Sequence, residues 1–214
     1  MWRWGFAPFC AACPARHAVV ASLARTLGIA TNTILGMLRV VVTGGPGAGK
    51  TTLLCALAKL GFEVVGDSAR EVIAERLARG ETPRPGPKAF AREILRRDVE
   101  KYAALRESAD LVFFDRSVLE ALAMVHEAAP LSDDDLKNQV GSFFFHRTVF
   151  VLPPWKDIYR TDAERDHSFA HSERVHEQLV RWYSACGYRI HEVPRAPVDQ
   201  RVHHVLHVVA TGEA

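Results

Sequence analysis

From Leu38 onward, short apolar runs alternate with longer stretches in which apolar residues recur every three or four positions. Leu38–Thr43 is a continuous run rich in β-branched residues, the pattern of a strand buried on both faces of a parallel sheet. Similar runs at Phe62–Gly66, Leu111–Asp115, Thr148–Leu152 and Tyr188–Val193 bring the predicted strands to five. The intervening periodicity predicts helices over Lys50–Leu60, Ser68–Arg79, Ala89–Arg106, Val118–Glu127, Ser132–Phe145, His171–Cys186 and Val198–Val209. In the second helix Val72, Ile73 and Leu77 share a face; in the third, Phe90, Ile94, Val99 and Tyr102 form the expected buried side. Gly80–Pro87, with three prolines and two glycines, predicts a loop, and Pro153-Pro154 ends the fourth strand. Ser132 followed by Asp133–Asp135 offers a cap and negative charge at the positive end of a helix. Strand and helix alternating in this way predict an α/β fold of three layers, a five-stranded parallel sheet with helices on both faces.

Residues 1–36 break the pattern. They carry Arg3, Arg16 and Arg25 but no Asp or Glu, with Trp2, Trp4, Phe6 and Phe9 near the start and helical spacing around Ala15–Leu27. A targeting segment, a partner-binding tail and an upstream start site would each give such a stretch. The third is preferred, because Met37 immediately precedes the first core strand. The expectation is therefore a poorly ordered extension over 1–36 and one nucleotide-binding domain over 37–214, a length that buries a single substantial core.

Composition narrows the function classes. A net charge of +2, with Lys and Arg interspersed among Asp and Glu, lacks the basic stripe of a dedicated nucleic-acid binder. No stretch approaches the ~20 apolar residues that span a bilayer, so the expectation is a soluble protein with no membrane or nucleic-acid partner. Cys10, Cys13, Cys55 and Cys186 are too few for a disulfide scaffold in 214 residues and suit a reducing, cytoplasmic compartment. Cys10 and Cys13 form a lone C-x-x-C without the further ligands a zinc site needs. His167 with His171, and His203 with His207, fall at i, i+4 without a third ligand and read as surface or core residues.

The strongest chemical signal is Gly44-Gly45-Pro46-Gly47-Ala48-Gly49-Lys50-Thr51, which fits G-x-x-x-x-G-K-[ST] between a predicted strand and a predicted helix. Phosphates are held there by inward-turned backbone N–H groups, which demands glycine where a Cβ would block the approach. The candidate nucleotide-binding residues are Gly45, Pro46, Gly47, Ala48, Gly49, Lys50, Thr51 and Thr52. Lys50 would reach the β- and γ-phosphates, and Thr51 would ligate Mg²⁺. Asp115, ending the apolar run Leu111–Asp115, is placed to hold Mg²⁺ through its water shell; alternatively Asp115 or Ser117 caps the following helix. Arg116 follows, where a motor-type ATPase needs an acid to polarise water. A cation there suits charge on a transferring phosphoryl group or an acceptor to be gripped.

The phosphate loop together with Asp115-Arg116-Ser117 resembles the kinase branch of P-loop proteins. Gly66–Glu71, Phe113–Ser117, Leu152–Trp155 and Thr161–Arg165 resemble the bacterial AAA-like ATPase/kinase family that includes the ribosylnicotinamide kinase domain, over Leu38–Leu206. The resemblance implies that Asp67, at the end of the second strand, takes the acceptor's proton or else caps the next helix. It gives Arg70 a place at the acceptor or a phosphate, or leaves it a surface residue. It makes Trp155–Phe169 a lid supplying Arg160 and Arg165 to the transition state, and puts the nucleotide base against Pro194–Pro197, with Arg195. Adenine is implied, with guanine left open.

Two functions compete. The leading one is an ATP- and Mg²⁺-dependent kinase acting on a small hydroxyl acceptor such as a nucleoside, with catalytic Lys50, Asp67, Arg116, Arg160 and Arg165 and acceptor contacts from Asp67, Arg70 and Arg116. The other is a regulatory ATPase or GTPase switch using residues 1–36 and Gly80–Pro87 as interaction surfaces. A homo-oligomer is left open. A hexameric motor subunit is disfavoured by the absence of an acid after Asp115 and of a small helical domain after the core.

Overall fold

The computed structural model describes residues 38–105, 111–159 and 168–212. Five strands, β1 (Leu38–Gly44), β2 (Glu63–Val65), β3 (Leu111–Asp115), β4 (Thr148–Leu152) and β5 (Arg189–Glu192), form one sheet in the order β2-β3-β1-β4-β5. Every neighbouring pair is parallel. Parallel strands need crossover connections, and helices supply them. These are α1 (Lys50–Lys59), α2 (Ser68–Ala78), α3 (Pro87–Ala104), α4 (Val118–Ala128), α5 (Asp133–Val140) and α6 (Phe169–Ala185), while α7 (Val198–Thr211) follows the last strand.

The alternation of strand side chains divides the core. Val40, Val42, Phe113, Phe150 and Leu152 pack with Leu53, Leu54 and Leu57 of α1 and Val202, Val205 and Leu206 of α7. Val41, Val149 and Val151 face the opposite layer, against Leu119 and Leu122 of α4 and Leu179 and Tyr183 of α6. The three consecutive valines of β1 are thus fully buried on alternate faces, each contributing about 1.5–3 kcal/mol of apolar burial. A third cluster joins Val72 and Ile73 of α2, Phe90 and Ile94 of α3 and Ala121 of α4. The three-layer reading stands.

Three expectations need correction. Leu77 is 43% exposed; it lies one turn beyond Ile73, outside the cluster that Phe90 and Ile94 complete. The third helix begins at Pro87, not Ala89, because proline's fixed φ and missing N–H suit a first helical position. The helix expected over Ser132–Phe145 ends at Val140. Beyond it the chain leaves the helix so that Phe143 and Phe145 meet the Tyr102 ring at 5.2 and 5.5 Å, edge to face, while Phe144 between them is 73% exposed. Val99 and Tyr102 are half-buried against the α4–α6 layer.

The extension over 1–36 and the residues Arg160 and Arg165 lie outside the described residues. No described helix is long and apolar enough to cross a membrane. Because all strands run the same way, the loops after β1, β2, β3, β4 and β5 gather at one edge of the sheet, where open α/β sheets bind ligands.

Candidate functional site

At this edge β1 runs into the glycine-rich loop. Gly47 has φ +77°, in the left-handed region, and a Cβ there would lie 2.5 Å from Cδ2 of the Tyr159 ring. At Gly45 a Cβ would collide with Ser172 of α6, whose buried hydroxyl donates to Pro46 O at 2.8 Å. The loop is thus clasped from outside by α6. Helix α1 starts at Lys50 with no side-chain cap, which leaves its first-turn N–H groups and positive dipole end for an anion, and Thr51 and Thr52 are exposed there. The Lys50 side chain is buried and donates to Gly44 O at 2.7 Å and Gly45 O at 3.0 Å. Burial and then the charge of Arg116 lower its pKa to about 8, against the opposing pull of Asp115, Asp67 and Glu120.

Asp115 pairs in register with Val42, two residues before β1 ends. The residue is half-buried as a whole, but its Oδ1 is sealed and has no hydrogen-bond partner. Burial pushes its pKa up, while Lys50 pulls it down. The cap of α4 falls instead to Ser117, whose Oγ accepts from the Leu119 N–H at 3.2 Å. A carboxylate oxygen without a donor is an acceptor left to be satisfied, so Asp115 fits a hydrated Mg²⁺, and the exposed Thr51 is the other residue that would hold it.

Arg116 is the one non-glycine residue with positive φ, +72°, among the described residues. Such a backbone costs on the order of 1–2 kcal/mol, and several contacts hold it. Its N–H donates to Val42 O at 3.1 Å, Nη1 to Glu120 Oε2 at 2.6 Å and Nε to Asp67 Oδ2 at 3.3 Å. Burial works against the Arg116 charge, but Glu120, Asp67 and Asp115 outweigh it and hold the pKa above the ordinary value. Asp67 also caps α2, with Oδ1 accepting from the Ala69 N–H at 2.9 Å, and Arg70 Nε lies 4.0 Å from Oδ2. The two roles expected of Asp67, helix cap and site carboxylate, are therefore compatible in one geometry. Beside it on α3, Asp98 has its pKa raised to about 6 by burial, with the charge of Lys101 pulling the other way.

Lys50, Asp67, Arg70, Asp115 and Arg116 thus come together. Arg195 stands apart from them, donating Nε to Pro154 O at 3.0 Å in a cleft of about 540 Å³ lined also by Pro153, Arg174, Glu177 and Glu192. Glu120, Tyr183, Ser172 and Asp98 were not found from sequence. Glu120 had a signal: it is the one acid in the apolar stretch 118–125 and sits four residues after Arg116 on a helix. Tyr183, brought in from 63 residues away, had none.

The family model described as an AAA domain matches residues 39–201. No curated protein matches the chain. Among solved structures, deoxyadenosine kinase from M. mycoides is similar at 14% identity and TM-score 0.57, over 82% of this chain and 100% of that one. Thymidylate kinase from Candida albicans is similar at 12% identity and TM-score 0.58, over 83% of this chain and 93% of that one. The NadR protein in complex with NR is similar at 20% identity and TM-score 0.59, over 83% of this chain but only 52% of that one, so this chain spans about half of its length. At such identities the likenesses show the shared fold.

Proposed function

The chain belongs to the AAA domain family, and on that premise we propose that it is a phosphotransferase that moves the γ-phosphoryl group of ATP to the hydroxyl of a small acceptor such as a nucleoside. The observation that carries this reading is Arg116: it sits within electrostatic reach of Lys50 and holds the Asp67 carboxylate, where a hydrolytic motor would need a free acid to polarise water. The fold shared with deoxyadenosine and thymidylate kinases supports it.

In this reading the loop N–H groups of Gly45–Thr52 and the Lys50 ammonium hold the phosphates. Mg²⁺, held by Thr51 and by Asp115 through water, would screen the charge of the β- and γ-phosphates. Asp67 accepts the proton of the acceptor hydroxyl as its oxygen bonds to the γ-phosphorus and the bond to ADP breaks; the products are ADP and the phosphorylated acceptor. Arg116 orients Asp67, and Arg70 and Arg116 hold the acceptor. Arg160 and Arg165 would add positive charge at the phosphoryl group, and Arg195 would border the nucleotide base.

The test is incubation with γ-labelled ATP and Mg²⁺ against a panel of nucleosides and other small alcohols, with Lys50→Ala as the control. Label transferred to an acceptor is the expected result. Label released only as phosphate, or nucleotide bound without turnover, would replace this reading with the regulatory switch.

A further inference from the structure

The buried polar groups around Arg116 form one continuous chain of hydrogen bonds. The Leu119 N–H donates to Ser117 Oγ at 3.2 Å, and Ser117 Oγ lies 2.7 Å from the Tyr183 hydroxyl. Tyr183 donates its single proton to Glu120 Oε1 at 2.9 Å, so the Ser117 hydroxyl is the donor toward Tyr183. Glu120 Oε2 accepts from Arg116, Arg116 Nε donates to Asp67, and Asp67 ends the chain on the Ala69 N–H. The chain therefore runs between the capped starts of α4 and α2, with Arg116 in its middle. Tyr183 is fully buried, Ser117 2% exposed and Glu120 5% exposed, so the Leu119–Ser117–Tyr183–Glu120 half of the chain is formed away from competing water, while the half through Arg116 and Asp67 is partly buried.

Apolar packing alone does not account for these residues. An acid in the buried face of α4 is expensive unless both oxygens are paired, and here one oxygen is paired by Arg116 and the other by a tyrosine from a different helix. Without Tyr183, Glu120 would keep one partner and gain freedom to rotate, and Arg116 would lose the fixed end of its own pair. The left-handed backbone of Arg116 adds a cost that the surrounding contacts must offset.

We propose that Glu120 and Tyr183 are positioning residues, which fix the Arg116 guanidinium so that it holds Asp67 in a single orientation toward the acceptor. The inference rests on the kinase reading for its purpose, but the contact can be tested without it. In protein labelled with ¹⁵N-arginine, the Arg116 Nε–H signal is identified by its loss in Arg116→Lys. In Tyr183→Phe, which keeps the buried ring, that signal should move and its proton should exchange with water about tenfold faster, as for loss of one hydrogen bond to a charged group. Ser117→Ala, which removes the donor to Tyr183 along with the cap of α4, should give a smaller change in the same direction, and serves in its place if Tyr183→Phe does not fold. With an acceptor found in the panel above, Tyr183→Phe should lower kcat about tenfold with KM for ATP unchanged.

An unaltered Arg116 signal in the Tyr183→Phe protein, or in Ser117→Ala where that substitutes for it, overturns the inference whatever the transfer assay shows. A shifted signal with kcat unchanged overturns the positioning role and leaves the contact structural. A shifted signal in a protein that transfers no label to any acceptor refutes the kinase reading, and the positioning purpose with it.

Discussion

The phosphate loop and the Arg116 cluster sit at the same edge of the sheet and are built in opposite ways. The loop is one run of consecutive residues, Gly44–Thr51, whose binding groups are mostly backbone N–H, and its side-chain demand is largely that bulk be absent. The cluster draws single side chains from the start of α2, the end of β3, and from α4 and α6, and nearly every bond in it joins two charged or polar side chains. A loop of the first kind has its binding geometry written mainly in its local chain, with Ser172 of α6 as an outside brace. A cluster of the second kind exists only once distant elements have docked, so it specifies orientation more narrowly and is more easily deranged by one substitution.

If the two sides divide the work of binding and chemistry, substitutions should separate them. The largest effect is expected from Lys50→Ala, which should cut labelled-phosphate transfer by about 10²–10³-fold, and should weaken nucleotide binding as well in calorimetric titration. Next comes Asp67→Asn. Asparagine still caps α2, so folding should persist, while transfer falls by about 10²-fold at nearly constant ATP affinity. A parallel loss of affinity would show that the two sides are not separable, and an unchanged rate would remove Asp67 from the chemistry.

A third substitution concerns stability. The Asp98 pKa is about 6 in the folded protein against 3.8 unfolded, so between those values the folded state binds more protons, and stability falls as pH rises from about 4 to 6. Asp98→Asn should therefore stabilise the protein by about 1–3 kcal/mol at pH 7 and by nothing below the unfolded value. Urea titrations at pH 7 and at pH 3.5 would read the difference, and an equal gain at both would mean that the carboxylate charge is not what is being relieved. The smallest change is expected from Ser172→Ala. Loss of its bond to Pro46 O should reduce nucleotide affinity by about fivefold, and an unchanged affinity would show that the loop needs no brace from α6.

The same contrast governs what could be read in advance. The loop was legible because its spacing is local and its context, strand before and helix after, is legible from periodicity. Asp115 and Arg116 followed because they end an apolar run. The five strands were placed within a few residues, for the valines of β1 advertise burial on both faces. What escaped was decided by tertiary partners. Val140–Phe145 carries apolar residues that fit a helix as well as they fit the extended stretch that delivers Phe143 and Phe145 to Tyr102. Glu120 looked like an ordinary helical acid until its two partners were in place, and Tyr183 like an ordinary core aromatic. Periodicity reports which side of a helix is buried and is silent on which hydroxyl meets which carboxylate.

The sheet order has a consequence for how the protein is made. β1 is the first of the strands to leave the ribosome, yet it is central: its Leu38–Val42 segment pairs with residues 111–115 and its end with residues 150–152. At roughly 5–20 residues per second, several seconds of synthesis separate the valine run from both neighbours. During that interval an apolar strand with two unpaired edges is tethered to a growing chain, the state from which aggregation begins. Only when β4 emerges can both edges close, and the phosphate loop that β1 carries waits longer still, until Ser172 of α6 follows to brace it.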